Sequence, residues 1–460
     1  MTQPSRLNAT EKKAAAALAS IFGLRMLGLF LIMPVLAIYS QSYPDYTPML
    51  VGLAIGAYGL TQALLQIPMG WLSDRLGRKT VILAGLAIFA LGSAVAALAD
   101  TLAWVVVGRV LQGAGAIAGA VLALAADSAR QEQRPKVMAI IGMGIGLSFV
   151  LALIIAPLLG SVAGISGLFW LTFGLTLVSI VAVLKILPVP TQRVPSRDIL
   201  PVPQEMKRLL SNMQLQRLNM GVFVLHLVLT AWFVTLPLQL VDAGLNAEHH
   251  SWLYLPTLLL SFALMIPLML WSIRKDKPVQ GQRIAIVFLL LSLLVIAVND
   301  QQLPLLVVAV WLFFVGFNFL EASLPSMLSQ HAPAGNKGSA SGIYTTFQFF
   351  GAFLGGVSGG ALLQFGGIQA VMFFCVALLL CWFILTLGLR HVSATTRVTL
   401  TLSNAMLAKP AALADLLVQQ PGIEEAVIIA QEHAAYLKID RNHYQAKQVQ
   451  SALARFEQEQ

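Results

Sequence analysis

Apolar runs of about 20 residues recur along this chain and constrain its fold more than any other feature. Twelve such runs are centred near residues 30, 60, 88, 112, 148, 177, 229, 261, 291, 315, 349 and 380. A helix needs about 20 apolar residues to cross the hydrocarbon core of a bilayer. Strands of a membrane β-barrel would be shorter and would alternate apolar with polar residues. The pattern therefore predicts an all-α polytopic membrane protein with twelve transmembrane helices.

The composition agrees with this interpretation. Of the 460 residues, 58% are hydrophobic and only 11% are charged, whereas soluble proteins carry about 25% charged residues. That is too little polar material to cover the core of a soluble protein of this length. The two cysteines, Cys375 and Cys381, both lie in the last run, so we expect no metal site, and the chain offers no sign of a bound cofactor.

The basic residues predict the orientation. Arg25 and Arg109 lie inside apolar runs, and the remaining Lys and Arg residues fall before the first run, after the last, or in alternate connections. The opposite connections contain no Lys or Arg, and they carry the acidic residues Asp45, Asp100, Asp242, Glu248 and Asp300. By the positive-inside rule both termini are cytoplasmic. The net charge of +9 then indicates contact with anionic membrane lipid and not a nucleic-acid partner.

The runs divide the chain into four stretches. Residues 1–187 contain six runs and residues 217–390 contain six more, which is the layout of a duplicated transporter. Between them, residues 188–216 form a proline-rich cytoplasmic linker. Its end carries apolar residues at helical spacing, Met206, Leu209, Leu210 and Met213. This spacing predicts an amphipathic helix on the inner membrane face.

Residues 391–460 have the composition of a small soluble domain. Alternating and helical patterns follow one another in the order strand, helix, strand, strand, helix, in the stretches "RVTLTL", "PAALADLLVQQPG", "EAVIIA", "AYLKID" and "QAKQVQSALARFEQ". The order βαββα predicts a cytoplasmic α+β domain of the ferredoxin-like type without its last strand. An unknown ligand or protein is its expected partner.

A dense charge cluster, "GWLSDRLGRK", joins the second and third runs. It resembles the signature loop of the major facilitator superfamily, whose specified positions are matched by Gly70, Leu72, Ser73, Asp74, Arg75, Gly77, Arg78 and Lys79. The fourth run contains "VVVGRVLQGAGAI", similar to the second motif of that family, with Arg109 as its buried arginine. The first run contains "LGLFLIMPVL", which resembles a motif of drug antiporters.

The fifth run, "LIIAPLLG", resembles the antiporter motif of the same family at Ala156, Pro157 and Gly160, with alanine where the motif prefers glycine. The whole chain, tail included, is similar to a bacterial putative efflux transporter of this superfamily. The resemblance implies the superfamily's fold, a drug-efflux-like proton antiporter, and a bacterial inner membrane location.

The signature loop has a physical interpretation as a conformational latch. Gly70 and Gly77 permit a tight turn and close helix approach, and a carboxylate such as Asp74 is favoured at a helix N-terminus by roughly 0.3–1 kcal/mol. The resemblance implies that this N-terminus belongs to the eleventh helix, near Lys337, and that Arg78 pairs with Asp127. The simpler alternative is that these charges only satisfy the positive-inside rule.

Four ionisable residues lie well inside the runs: Arg25, Arg109, His226 and Glu321. They fall on the first, fourth, seventh and tenth helices, which in the superfamily's fold line the central cavity. An intramembrane charge costs at least about 2.5–3.5 kcal/mol, so each should face water or a partner. We expect Glu321 and His226 to couple transport to protons. For the arginines, clamping of helices is the alternative.

Uncharged polar residues also lie inside the runs: Tyr58, Gln62, Gln66, Asn318, Tyr344 and Gln348. They are candidates for contact with substrate in the cavity. The alternative, which we favour, is that they form hydrogen bonds between helices.

These features predict a proton-coupled efflux antiporter of small, amphipathic or drug-like molecules that works by alternating access. Its partners are then a small-molecule substrate, protons and membrane lipid. The alternatives are a proton symporter for uptake and a membrane receptor that signals through the tail. An enzyme is not expected, because the chain has no nucleophile elbow or phosphate-binding loop.

Overall fold

A computed structural model describes residues 7–130, 133–187, 203–298, 302–391, 395–430, 433–440 and 443–458. The part before the linker forms the helices α1 Ala9–Phe30, α2 Leu36–Tyr39, α3 Pro48–Leu76, α4 Arg78–Ala97, α5 Leu102–Ala114, α6 Ala118–Asp127 and α7 Arg134–Lys185. The following part forms α8 Pro203–Leu210, α9 Met213–Asp242, α10 His250–Arg274, α11 Pro278–Val298, α12 Leu303–His331 and α13 Lys337–Leu387.

Ten helical segments in the described part of the chain are long and apolar enough to cross a membrane. A mostly helical membrane protein is thereby confirmed. Two of the ten are much longer than one crossing: α7 has 52 residues and α13 has 51. Each contains one glycine with non-helical backbone angles, Gly164 at φ 61° and Gly367 at φ 72°. Each also holds two of the predicted apolar runs.

The predicted linker differs from the structure at its end. Helix α9 begins at Met213, capped by Asn212, rather than after residue 216. The expected amphipathic helix is therefore divided between α8 and the first turn of α9. Leu209 of α8 is only 2% exposed and belongs to the apolar core of the second half, so part of this face packs on protein and not on the membrane. Residues 188–202 lie outside the described residues.

The two halves meet most closely where α3 packs against the first part of α13. Gly52 and Gly356 face each other so closely that a Cβ atom on either would meet the other's carbonyl oxygen. On another face of α13, Gly351, Gly355 and Gly359 lie against the backbone of α9. Small residues allow such backbone contact between membrane helices.

This close contact lies at one end of α3, the end that begins at Pro48. Nearby, a buried apolar cluster built from the first half also includes Val234 of α9. At the opposite end, the buried cluster that contains Val81, Leu124 and Val137 draws all its residues from the first half. The cores of the halves therefore join at the Pro48 end of α3 and stay separate at the Leu76 end.

The tail contains a small three-stranded sheet. Strands β1 Thr395–Thr401, β2 Ile423–Ile429 and β3 Ala434–Asp440 pair antiparallel in the order β1-β3-β2. Helices α14 Pro410–Val418 and α15 Ala446–Gln458 supply Leu413, Leu417, Val449, Leu453 and Phe456 to a core on one face of this sheet.

The glycine contacts predict a measurable cost for added volume. Gly355→Ala should lower the free energy of unfolding by about 1–3 kcal/mol, because the new methyl group would overlap the backbone of Leu227. Gly142→Ala is the matched control, since a Cβ there meets no atom within 4 Å. Thermal unfolding in detergent tests this, and equal midpoints for the two variants would contradict it.

Candidate functional site

Three polar side chains from α9, α12 and α13 meet inside the second half. The His226 Nε2 atom lies 3.6 Å from Glu321 Oε2. The side-chain amide nitrogen of Gln348 lies 2.8 Å from the same His226 atom and 3.5 Å from Glu321 Oε1. The three residues are far apart in sequence, and the helices bring them together. We call them the His226–Glu321–Gln348 triad.

The partners of His226 define the form of its ring. Its Nδ1 atom lies 3.2 Å from the carbonyl oxygen of Val222, so Nδ1 carries a hydrogen and donates it. In the neutral ring Nε2 then has a lone pair, which accepts a hydrogen bond from the Gln348 amide. Among the described residues, Glu321 Oε2 has no hydrogen-bond donor although this atom is buried. If the ring is neutral and the carboxyl group is ionised, a lone pair and a carboxylate oxygen face each other across this 3.6 Å contact.

One proton placed between these two atoms would let them form a hydrogen bond. On His226 it would donate from Nε2 to Glu321 Oε2, and on Glu321 it would donate from the carboxyl group to Nε2. In the first case Gln348 must turn its amide so that its oxygen, instead of its nitrogen, faces the ring. The side chain of Glu321 is 42% exposed and that of His226 is 13% exposed, so the pair is not sealed in the core.

The neighbours of the triad are apolar or uncharged. The ring of Phe317 lies edge-on to His226 with its centroid 6.0 Å away, and Tyr344 is buried one turn before Gln348. Asn318, one turn before Glu321 on α12, donates to Ser261 of α10 at 2.9 Å. This interhelical bond agrees with the alternative we favoured for the uncharged polar residues.

A second polar network lies in the first half around Arg25. Its Nη2 atom donates to the carbonyl oxygen of Gly115 at 2.9 Å and to Gln62 at 3.3 Å. Gln62 also accepts from Tyr58 at 3.2 Å and donates to Gln66 at 3.3 Å. Gln62 thus ties α3 to α1, while Tyr58 and Gln66 bond to Gln62 within α3. Within the described part of the chain, Arg25 Nε and Nη1 have no hydrogen-bond partner.

Arg109 also lies near the ring of Tyr58. The guanidinium carbon atoms of Arg25 and Arg109 are 5.9 Å and 5.2 Å from the centroid of the Tyr58 ring. Arg109 donates to the carbonyl oxygen of Ala54 at 3.0 Å and to Gln112 at 2.8 Å, and Gln112 donates to Ser93 at 2.8 Å. This network stabilises the two charges with neutral acceptors and an aromatic face.

Gln112 and Ser93 are functional candidates that the sequence interpretation missed. The sequence contains a weak indication of both, since each is a polar residue in an otherwise apolar run. Gln112 follows Arg109 by three residues and so lies on the same helical face.

The signature loop is a one-residue turn. Helix α3 ends at Leu76, α4 begins at Arg78, and Gly77 between them has φ 99°, a backbone angle that favours glycine. Arg78 pairs with Asp74 one turn before it and with Asp127 at 3.3 Å, and it donates to Ser73 at 2.8 Å. The loop is thereby fastened to the end of α6.

The other loop residues have separate contacts. Arg75 stacks on Trp71 at 3.7 Å from the ring centroid, Lys79 donates to the carbonyl oxygen of Leu184 at 3.3 Å, and Leu72 packs against the first-half core. At Gly70 a Cβ would meet no atom within 4 Å. Gly70 is nevertheless buried, and a Cβ on Gly119 of α6 would lie 3.4 Å from the Gly70 Cα atom. The role of Gly70 in a close approach to α13 stays a prediction.

The fifth-run motif lies in α7 near the Pro48 end of the molecule. Ala156 is fully buried in the cluster that includes Val234, Pro157 lies inside the helix, and Gly160 faces the ring of Tyr39. The motif thus belongs to the joined end of the two halves. At the other end, Asp74 pairs with Arg78, and its predicted contact with the start of α13 near Lys337 remains a prediction.

Burial predicts unequal effects for the two partners of Arg78. Asp127→Asn should lower the free energy of unfolding by about 1–3 kcal/mol, because Asp127 is 3% exposed and Arg78 would keep a buried, undercompensated charge. Asp74→Asn should cost less than about 1 kcal/mol, because Asp74 is 37% exposed. Thermal unfolding of the purified variants measures both, and a greater loss for Asp74→Asn would contradict the burial argument.

Comparisons with known proteins show which family this chain resembles. The sequence model of the Major Facilitator Superfamily matches residues 18–356 and, in a second match, residues 283–428. The inner membrane transport protein YajR of Escherichia coli is 38% identical over 430 residues, 94% of each chain. The multidrug resistance protein MdtH of Cronobacter sakazakii is 26% identical over 355 residues, 74% of this chain and 84% of MdtH.

A solved structure shares the fold. The inward-facing crystal structure of a bacterial homologue of the human lysosomal transporter Spinster aligns with a TM-score of 0.66 at 15% identity. The alignment covers 85% of this chain and all of that one. At this identity the likeness concerns the fold alone.

Proposed function

This chain belongs to the major facilitator superfamily of membrane transporters, and we propose that it is a proton-coupled antiporter that exports small, amphipathic or drug-like molecules. The observation that carries the proposal is the contact between His226 Nε2 and Glu321 Oε2 at 3.6 Å. Two groups that can each bind a proton lie at membrane depth with space for one proton between them. MdtH, whose name refers to multidrug resistance, supports the substrate class.

The proposal includes a topology of twelve crossings. A helix of 52 residues is roughly 78 Å long at 1.5 Å per residue, more than twice the thickness of a hydrocarbon core of about 30 Å. We therefore divide α7 at Gly164 and α13 at Gly367 into two crossings each. With cytoplasmic termini, the Pro48 end of α3 is external. Residues 1–187 and 217–390 are then the two six-helix halves.

This orientation defines the conformation as open toward the cytoplasm. The two cores join at the external end and stay separate at the cytoplasmic end. Export requires the opposite state as well, in which the halves part externally and close around the signature loop. In that state α13 would occupy the open space beside Gly70, and Asp74 would reach the N-terminus of α13 near Lys337.

The two polar networks have different roles in this cycle. The Arg25–Tyr58–Arg109 network holds α1, α3 and α5 together through hydrogen bonds to neutral groups. The triad can change its charge, because an imidazole ring and a carboxyl group can each bind a proton. We assign proton coupling to the triad and cavity shape to the arginine network.

The energetics are sufficient for export. At a membrane potential of 100 mV, one entering proton releases about 2.3 kcal/mol, and one pH unit adds about 1.4 kcal/mol. Together these would sustain a several-hundredfold gradient of a neutral substrate at one-to-one exchange.

We predict that Glu321→Gln uncouples transport from protons. Because the amide cannot bind or release the proton, an imposed pH gradient should no longer drive accumulation, while the ligand still binds. A panel of drug-like cations, neutral amphiphiles and organic anions is screened by thermal stabilisation of the wild-type protein. The best ligand is then followed in proteoliposomes under an imposed pH gradient, and the direction of flux separates export from symport for uptake.

Glu248→Gln is the control, since Glu248 and His249 form an exposed acid–histidine pair at 3.8 Å. This variant should transport like the wild type. Gradient-driven flux that is unchanged in Glu321→Gln would move the coupling site elsewhere. Ligand binding without flux in the wild type would instead favour a receptor that signals through its tail.

A further inference from the structure

The sheet of the C-terminal domain has two different faces. Along β3, Ala435, Leu437 and Ile439 point into the core that α14 and α15 cover. The alternate residues Ala434 and Tyr436 point to the opposite face. Their partners across the sheet are Ile429 and Val427 of β2. Both faces are therefore apolar, although the domain's own helices cover only one.

The second face packs against the membrane part of the same chain. Ala334, which is 1% exposed, forms a buried cluster with Ile429, Ala434 and Tyr436. The neighbouring Gly335 has φ 72°, and a Cβ there would lie 3.5 Å from the Tyr436 ring. These residues belong to the 332–336 connection, which joins the end of α12 at His331 to the start of α13 at Lys337.

A polar contact fixes the register of this interface. The backbone N–H of Ala334 donates to Glu425 Oε2 at 3.0 Å. Glu425 is the β2 residue that pairs with Lys438, on the same face of the sheet as Val427. A charge-assisted hydrogen bond beside an apolar cluster is specific to one docking position.

The beginning of the tail is attached at the same place. His331 at the end of α12 lies 3.0 Å from the carbonyl oxygen of Arg390 through Nε2. The backbone N–H of Arg390 donates to Gln214 at 2.8 Å. The chain that leaves α13 is thus held at Arg390 beside the end of α12, where the 332–336 connection begins.

We propose that the C-terminal domain is a clamp whose open sheet face binds the 332–336 connection and holds the N-terminal end of α13. This end must move when the halves exchange their contacts, because the first part of α13 packs against α3. The docked domain therefore favours the conformation of this structure, and its release allows the external end to open. The clamp acts on conformation and does not depend on which ion drives transport.

The contact itself is tested by cross-linking. In a chain with Cys375→Ala and Cys381→Ser, the pair Ala334→Cys with Ala434→Cys is oxidised, and a protease site inserted between His391 and Thr395 is cut. The tail should then remain attached on a non-reducing gel. The control pair Ala334→Cys with Ala426→Cys should release it, since Ala426 lies on the helix-covered face. Release of the tail from both pairs would overturn the docking.

The conformational effect is tested with a reporter thiol at Val234→Cys, because Val234 is fully buried where the halves join. Its rate of maleimide labelling in detergent reports parting of the halves at that end. Glu425→Gln removes the acceptor of the Ala334 bond, and Ala334→Asp places a charge under the sheet without altering the domain. Both should raise the labelling rate, by roughly two- to tenfold for the loss of one hydrogen bond.

Glu424→Gln is the matched control, since its carboxylate faces Lys438 at 3.8 Å and should leave the labelling rate unchanged. Unaltered labelling in both Glu425→Gln and Ala334→Asp would overturn the clamp. This outcome is distinct from failure of proton coupling, because no substrate or pH gradient enters the measurement.

Discussion

The cost of placing charge in hydrocarbon governs how this molecule is built. The four ionisable residues predicted inside the membrane have polar or aromatic neighbours. Arg25 and Arg109 each donate to a carbonyl oxygen and to a glutamine, and both lie near the Tyr58 ring. His226 and Glu321 face each other. The first arrangement pairs two arginines with neutral acceptors and holds helices together. The second joins two groups that can each donate or accept a hydrogen, according to where a proton is bound. Proton coupling as we propose it needs a group of this kind, so we assign it to the contact between His226 and Glu321.

The two halves thus contain different kinds of contact. In the first half, Arg78 is shared by Asp74, Asp127 and Ser73 at the signature loop, and the arginine network fixes the core. In the second half, the triad bridges α9, α12 and α13, and α13 also carries the glycine contacts with α3. Gln348 therefore lies on the helix that we propose to move between conformations. A proton bound at the triad and a movement of α13 would be connected through that one helix, whose N-terminal end the C-terminal domain holds in our proposal.

Much of this architecture could be predicted from the sequence, because hydrophobicity reports depth in the membrane directly. The apolar runs located the helices, and alternation located the strands of the tail. Depth does not determine which way a side chain faces, so the bond from Asn318 to Ser261 of α10 could not be identified from the sequence, although an interhelical bond was the favoured alternative. The contact of His226 with Gln348 joins residues whose helices are adjacent only in the folded chain. The docking of the tail was equally hidden, since an apolar strand residue is compatible with either face of a sheet.

The central claim is that the triad binds its proton differently in the two conformations, since a proton bound equally well in both would shift nothing. One conformation is locked by an oxidised pair, Met49→Cys with Gln364→Cys, at the joined end where Met49 N–H donates to Gln364 at 3.3 Å. The other is favoured by Gly356→Ala, because its methyl group would separate α3 from α13. Difference infrared spectroscopy, with Glu321→Gln as the subtracted reference, measures the pH at which Glu321 is half protonated in each. The account predicts different values for the two proteins, and equal values would contradict it.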